Sequence, residues 1–330
     1  MEEIIKHHFK WIDQYLARNE VPVHKRVLPA AIKFVEECII TSNIDPTGWA
    51  PGKSAEFVQQ RWFRVFYSYA ESWYRERYGA RVRDNETSVF KSVVLIAGTP
   101  FEVRVPMTRS TPEVVGETLV LSFPGSVSPD ENSLDWVVSP PNFDSYSAAD
   151  RAQAREAATS TSNHIRAISC RSIGAELTDH ATRAVLAGVR IHLHSAVELI
   201  LREDEEGRVP RAQWELQMAC ESAYKAVLQQ HTGEFPPTHD LFMLHEKAKP
   251  LIGRVANEWL KSLPRWTESA NLRYGLGDVV PTLVDIVDWY TIALKIIGGV
   301  LEGLKGHKLD KATMTLKMPS WHRPYDDAAG

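Results

Sequence analysis

The sequence predicts a mainly α-helical protein that carries a small antiparallel β insertion. Apolar residues recur every three or four positions over most of the chain, which places them on one face of a helix, in the stretches 2–18, 26–42, 54–79, 150–205 and 211–304. The region at about 88–125 instead contains runs rich in β-branched and aromatic residues. Helices therefore form the framework, and a small sheet is inserted into the N-terminal half.

Three helices are expected before residue 80, and a loop at 43–54 separates the second from the third. The third begins at Ser54, a good N-cap, and ends at Gly79. The β insertion follows, with runs at 88–98, 99–108 and 117–125.

A loop at 126–147, rich in Ser, Pro, Asp and Asn, is the best candidate for a domain boundary, although Trp136 and its apolar neighbours indicate that it is held in place. We therefore predict an N-terminal helical region with the β insertion at 1–147 and a second helical region at 148–330. The second region ends in a tail at 305–330.

The composition limits the classes of function. At 330 residues the chain can form one large or two ordinary domains, and its formal net charge of −4 argues against a protein that coats nucleic acid non-specifically. Its three cysteines are far apart and form no CxxC pair, so neither a disulfide framework nor a zinc ribbon is expected. A reducing, cytoplasmic location fits this pattern best.

We expect no membrane segment. The N-terminal stretch is amphipathic and lacks the uninterrupted apolar core of a secretory signal. The most apolar stretch, at 279–304, contains Asp285, Asp288 and Lys295, which are costly in a bilayer core. This stretch is therefore predicted to be a buried helix of a soluble protein.

The stretch QQRWFRVFYSYAESWYRERYGARVR, at 59–83, alternates aromatic residues with arginines. On a helix the aromatic side chains gather on one half and the arginines on the other, which favours a core helix over a base-stacking surface. The outward row of Arg61, Arg64 and Arg75 is a candidate basic face for an anionic partner.

Two other motifs do not carry the chemistry that they suggest. GWAPGKS, at 48–54, has three residues between Gly48 and Gly52 where a phosphate-binding P-loop needs four. His192 and His194 point about 200° apart on a helix, so they cannot share a metal ion. We predict neither a metal site nor a cofactor.

The C-terminal helices carry three motifs in a definite order. They are A-x-E-x-A-Y-K-A-V-L at 219–228, P-x-T-H-D-L at 236–241, in which Thr238 is a natural N-cap, and the pair Arg273 and Tyr274 before the last long helix. In this order and spacing the region at about 211–304 resembles the HEPN family. The resemblance implies a bundle of four or five helices that dimerises, here supported by the wide apolar face of 279–304.

Some HEPN proteins are metal-independent ribonucleases with an Arg-x4–6-His motif, in which His acts as acid–base and Arg clamps phosphate. No His follows Arg254, Arg265 or Arg273 at that spacing. The motif is matched at Arg18 and His24, where Pro22 breaks any helix.

The function predicted is therefore that of a non-catalytic, HEPN-like module in stress or phage defence, which binds RNA, a nucleotide or a protein. The candidate ligand-binding residues are Arg273, Tyr274, His239, Lys225 and Glu221. Two alternatives remain open: a HEPN endoribonuclease that uses His231, His239 or His245 with Arg273, and a purely structural dimerising protein.

Overall fold

The computed structural model describes residues 3–39, 54–58, 60, 62–83, 89–114, 118–202, 207–274, 276 and 281–317. It is mainly helical with a small antiparallel hairpin, which confirms the predicted fold class. The chain divides into two compact units, the first from the described parts of 1–87, 111–120 and 315–330, the second from those of 88–110 and 121–314. The hairpin belongs to the second unit, whereas we expected it within an N-terminal region at 1–147.

The first unit is built around an aromatic core. Its helices are α1 (Glu3–Arg18), α2 (Val27–Cys38), α3 (Ser54–Phe57) and α4 (Phe63–Tyr78). Phe9 of α1 stacks on Phe34 of α2 at 5.1 Å between ring centroids, and Trp73 and Tyr74 of α4 are buried against them. The half-and-half distribution of aromatic residues on α4 therefore reflects burial in a core.

The prediction of one continuous helix at 54–79 was wrong, because the helix is interrupted between Phe57 and Phe63. Both residues are buried, and their rings lie 5.4 Å apart. Six positions on a continuous helix would point these side chains about 120° apart, so the break lets both enter the same core. Gly79 ends α4 as expected, with φ of 56° and its N–H bonded to Arg75 O. The predicted loop at 43–53 lies outside the described residues.

The second unit is a helical assembly around one long helix. Its helices are α5 (Ala148–Gly174), α6 (His180–Leu201), α7 (Arg208–Thr232), α8 (Leu241–Ala248), α9 (Asn257–Ser262), α10 (Trp266–Arg273) and α11 (Leu283–Leu301). α7 packs against α6, α8, α10 and α11 and is buried on nearly every side. Because α7 is central, even polar side chains on it are buried.

Strands β1 (Val89–Ile96) and β2 (Thr99–Pro106) form an antiparallel hairpin with Ile96 opposite Thr99. The two-residue turn is Ala97 and Gly98, both with positive φ. The hairpin packs on α5, α6 and α11, and Ser92 bonds to the buried Tyr290 hydroxyl at 2.7 Å between oxygens.

We had expected the third β run to extend this hairpin, but it does not. It forms β4 (Thr118–Ser122), which lies between β3 (Arg109–Val114) and β5 (Thr313–Lys317) in a separate sheet. β3 includes Pro112, which cannot donate a backbone hydrogen bond and so weakens the strand signal in the sequence. β5 lies in the predicted tail at 305–330, where no strand was predicted.

The loop at 126–147 is held down by one buried arginine. Arg166 of α5 is fully buried and donates to Pro106 O, Ser126 O and both carboxylate oxygens of Glu131. Its guanidinium carbon also lies 4.7 Å from the ring centre of Trp136. The arginine lowers the pKa of the Glu131 carboxyl. The loop is therefore packed and hydrogen-bonded, as its apolar residues indicated.

α11 uses its wide apolar face within its own unit. Thr282 and Asp285 form a capping box at its start, and its residues from Ile296 to Leu301 are all buried. Gly299 approaches Arg254 O so closely that an added Cβ would lie 2.5 Å from it. The breadth of the apolar face is thus explained by contacts inside this chain and does not by itself indicate a second subunit.

Among the described helices, His180–Leu201 is long and apolar enough to cross a membrane by length and composition. The core helices of soluble proteins pass the same test. Its buried residues recur every three or four positions and face α7 and the hairpin; they are Thr182, Leu186, Val189, Leu193, Ala196, Val197 and Ile200. The burial of this helix is therefore one-sided, against α7 and the hairpin of the same unit.

Candidate functional site

Three of the five predicted ligand-binding residues meet around one carboxylate. Glu221 and Lys225 lie one turn apart on α7, and Lys225 Nζ donates to Glu221 Oε1 at 2.7 Å. His239, in the loop before α8, places Nδ1 2.9 Å from Glu221 Oε2. The sequence motifs 219–228 and 236–241 are therefore brought into direct contact.

The carboxylate is buried while the imidazole is accessible. Glu221 is 7% exposed, whereas the His239 side chain is 49% exposed. An ionised carboxylate only accepts hydrogen bonds, so Nδ1 of His239 carries the proton in this contact. Glu221 thus fixes the orientation of His239 and neutralises Lys225, whose ammonium also lies 5.1 Å from the ring centre of Phe235.

A stack of rings extends from this cluster. The His239 imidazole lies 4.1 Å from the Trp266 ring and is inclined to it by only 13°. On Trp266 the Trp214 ring packs at 4.8 Å and 45°. We did not predict either tryptophan as a site residue. One signal was present in the sequence, because Trp214, Gln217, Glu221 and Lys225 follow one another at intervals of three and four on α7.

The loop that carries His239 is fixed by hydrogen bonds at both ends. Gln217 Nε2 donates to His239 O at 3.0 Å. The N-cap of α8 is Asp240, whose Oδ1 accepts from Phe242 N at 2.8 Å. Thr238, which we expected as the N-cap, instead accepts from Asp240 N. The cap lies two residues later than predicted because Asp240 reaches the first free N–H groups of the helix.

The remaining two predicted residues are not placed in this cluster. Tyr274 is the residue after α10 and is 72% exposed. The backbone of Arg273 ends α10, seven residues from Trp266 and so about 10 Å along the helix. The Arg273 side chain lies outside the described parts of the chain, so its contribution stays a prediction.

The histidines proposed for a nuclease differ in accessibility. His231 Nε2 bonds to Gly303 O at 2.8 Å, which ties the end of α7 to the segment after α11. His245 is buried, its Nδ1 lies 3.0 Å from the Tyr224 hydroxyl, and burial lowers its pKa. His239 alone of these three presents an exposed ring.

The candidates in the first unit stay predictions. Arg18 ends α1 and is exposed, and His24 lies in the short helical turn Val23–Lys25. On the proposed basic face, Arg64 is exposed and Arg75 donates to Glu71 at 2.6 Å, which reduces its free positive charge. Arg61 lies outside the described residues.

A cavity of about 640 Å³ also lies in the second unit, beside the C-terminal ends of α5 and α11. Its Arg171 donates to Gly298 O at 2.8 Å and to Glu302 at 2.5 Å. Gly174 and Gly306 allow backbone segments to touch at its wall. Since these groups are used to hold the chain together, we take the Glu221–His239 cluster as the candidate site.

His192 and His194 diverge, as the helical spacing predicted. His192 Nδ1 lies 2.7 Å from Glu215 Oε2, whereas the His194 ring packs on Phe90. Over the described residues, no group of three or more His, Cys, Asp or Glu side chains is arranged to hold a metal ion.

Comparison with known proteins gives no independent assignment. No protein-family model matches the chain. Neither a curated protein nor a solved structure matches it.

Proposed function

We propose that this chain is a HEPN-like, non-catalytic module that binds RNA or a nucleotide at the surface formed by His239 and Trp266. The observation that carries the proposal is an exposed imidazole that stacks on an indole while a buried carboxylate fixes its orientation. Proteins that bind single-stranded nucleic acid use such aromatic platforms, because every base has a face on which a ring can stack.

A cationic group beside the rings suits the phosphates. Arg265, the residue before α10, is exposed, and its guanidinium lies 4.9 Å from the ring centre of Phe242. Guanidinium groups bind phosphate through paired N–H donors. A ligand that stacks a base on His239 would thus have a positive group for its backbone. Homodimer formation and a role in defence belong to the same proposal and rest on the family resemblance, whereas the cytoplasmic location rests on the three scattered cysteines.

Binding of fluorescent single-stranded RNA, followed by anisotropy, tests the proposal. Base stacking contributes about 1–3 kcal/mol per base, so His239→Ala or Trp266→Leu should weaken binding about 5- to 150-fold. His180→Ala, which removes an exposed histidine at the start of α6, is the matched control and should bind like the wild type. Equal affinity of all four proteins would contradict the proposal, and so would the absence of binding to wild type.

A metal-independent endoribonuclease is the second candidate, and the Glu221–His239 contact favours it. A carboxylate that holds Nδ1–H of a histidine orients the ring for general acid–base work at Nε2. Incubation with total RNA in EDTA tests this function, with Arg273→Ala and His239→Ala beside the wild type. Cleavage that is lost in either variant would replace the binding proposal, and intact RNA would remove the nuclease. If the protein neither binds nor cleaves RNA, the structural interaction module is favoured.

A further inference from the structure

A small pocket lies directly beside the ring stack, on the side of Trp266 that leads to α8. Its volume is about 210 Å³, and its apolar lining includes Phe242, Leu260, Pro264 and Trp266. Two aromatic side chains thus border a space that suits one planar heterocycle. Arg265 also lines the pocket and is exposed, so a positive charge stands where the pocket meets the solvent.

One glutamine on the pocket wall has hydrogen-bonding groups that a ligand can reach. Gln217 lines the pocket and is 2% exposed. Its Nε2 is identified by the bond to His239 O, since a carbonyl oxygen only accepts. Among the described residues, no donor is placed on Oε1 of Gln217, which is open to solvent, and Nε2 has a second hydrogen to donate. A ligand that supplies a donor and an acceptor can therefore replace water at these two groups.

The amide and its neighbours distinguish among the bases. A glutamine side chain pairs with adenine through the amino donor and an adjacent ring nitrogen acceptor. Asp240 also lines the pocket and brings a carboxylate, whose Oδ1 is used to cap α8. A carboxylate repels carbonyl oxygens and accepts from amino groups. Adenine is the RNA base that has an amino group and no carbonyl oxygen.

We propose that this pocket takes the adenine base of a nucleotide or of single-stranded RNA, and that Gln217 reads its edge. Phe242 and Trp266 provide the apolar walls, Asp240 disfavours the other bases, and Arg265 faces the phosphate. The inference rests on the proposed function, because it assigns a preferred base to the same surface. It adds a selectivity that stacking on His239 and Trp266 does not supply.

Calorimetry on the full chain tests the assignment, with AMP, GMP, CMP, UMP and the oligomers oligo(A) and oligo(U) as ligands. We expect AMP and oligo(A) to bind at least tenfold more tightly than the other mononucleotides and oligo(U). Oligo(A) that binds much more tightly than AMP would identify RNA as the source of the base, and equal affinity would identify the free nucleotide.

Two variants separate this inference from the proposed function. Gln217→Met keeps the side-chain volume and should lower the ratio of AMP to UMP affinity, although Asp240 still disfavours uracil. Gln229→Met, which changes a half-buried glutamine near the end of the same helix, should leave that ratio unchanged. Asp240→Asn keeps a capping oxygen and should narrow the preference for AMP over GMP, which keeps the test decisive if Gln217→Met fails to fold.

The outcomes differ for the two proposals. Equal binding of all bases by the wild type would overturn the adenine pocket and leave the RNA-binding proposal intact. A preference for adenine that survives in both Gln217→Met and Asp240→Asn would also overturn the pocket. Failure to bind any nucleotide or oligomer would overturn both.

Discussion

Glu221 accepts hydrogen bonds from two side chains, the largely buried ammonium of Lys225 and the more exposed imidazole of His239. Its carboxylate receives Lys225 Nζ and His239 Nδ1 at normal hydrogen-bond distances. The Lys225 side chain is 12% exposed, so its ammonium depends on this partner. Loss of one partner from a buried pair leaves an uncompensated charge, which costs more than the pair contributes.

We therefore expect Glu221→Ala to lower the free energy of unfolding by about 3–5 kcal/mol. The double variant Glu221→Ala with Lys225→Met should lose less than the sum of the single changes, because it leaves no unpaired ammonium. Urea unfolding measures both. Glu246→Ala, an exposed glutamate on α8, serves as the control. A loss under about 0.5 kcal/mol in Glu221→Ala, as expected of a surface change, would contradict this account.

His245 makes the stability of the second unit depend on pH. Burial lowers its pKa, with a raising effect from Glu246 and a lowering effect from Lys249. The pKa of His164 is lowered in the same way by burial, Lys295 and Arg171. The unfolded chain, with an ordinary histidine pKa of about 6.5, then binds more protons than the folded chain as the pH falls below that value. The free energy of unfolding is therefore highest above pH 6.5 and decreases as the pH falls below that value.

The urea midpoint should thus be lower at pH 5.5 than at pH 7.5, a range above the ordinary carboxyl pKa values. Each such histidine contributes a slope of at most about 1.4 kcal/mol per pH unit. Compared with the wild type, His245→Gln should have a lower urea midpoint at pH 7.5, and its midpoint should change less with pH. An unchanged pH slope in this variant would show that His245 does not titrate on unfolding.

The sequence led to part of the site because Glu221, Lys225 and His239 lie in recognisable motifs. Trp266 could not be found in this way, since its contact with His239 spans a loop and two helices. Gln217 was missed for a different reason. A glutamine on a helix is usually exposed, and the burial of Gln217 follows from the central position of α7 in its unit.

Among the elements, the position of the β1–β2 hairpin was predictable, because two runs rich in β-branched and aromatic residues are joined at Gly98. Its turn contains an unfavourable residue. Ala97 has φ of 50° and Gly98 has φ of 81°, which is the backbone of a type I′ turn. Only Gly98 adopts that conformation without a steric penalty.

We expect Ala97→Asn to raise the free energy of unfolding by about 0.5–1 kcal/mol, because asparagine tolerates the left-handed conformation and Ala97 is exposed. Gly98→Ala should lower it by about 1–2 kcal/mol. The two urea midpoints, compared with that of the wild type, check both signs. A destabilising Ala97→Asn would indicate that the turn differs from type I′.

Helix boundaries were harder to predict where packing overrides the local pattern. The break between α3 and α4 follows from the burial of both Phe57 and Phe63, which the 54–79 pattern does not reveal. The predicted stretch at 279–304 was too long for α11, which begins at Leu283 after the capping box of Thr282 and Asp285 and ends at Leu301. The strands β3 and β5 are far apart in sequence, and nothing in either run indicates its partner.

For the whole molecule, the two units have separate hydrophobic cores, one dominated by aromatic rings and the other by aliphatic side chains. The mainly helical class follows from periodicity alone, since that pattern covers most of the chain. Periodicity does not assign the hairpin to the second unit, because that assignment depends on which helices bury the apolar face of the hairpin. The net charge of the whole chain is −4, which disfavours RNA binding through many phosphate contacts.

We expect the affinity for single-stranded RNA to depend weakly on salt. The proposed site offers few cationic groups, and each neutralised phosphate contributes about −0.7 to the slope of log K against log salt concentration. Two contacts give a slope of about −1.4. Binding titrations at salt concentrations from about 50 to about 300 mM would measure this slope. A slope steeper than about −4 would point to an extended basic surface instead.

The pair of indoles beside the candidate site has an optical consequence. Trp214 and Trp266 lie 4.8 Å apart and are tilted by 45°, a geometry in which their electronic transitions couple. Coupled indoles give a circular dichroism couplet that isolated tryptophans lack. Although the chain contains 10 tryptophans, the difference spectrum between wild type and Trp214→Phe isolates this pair. The site thus contains its own chromophore, through which occupancy can be followed without any attached dye.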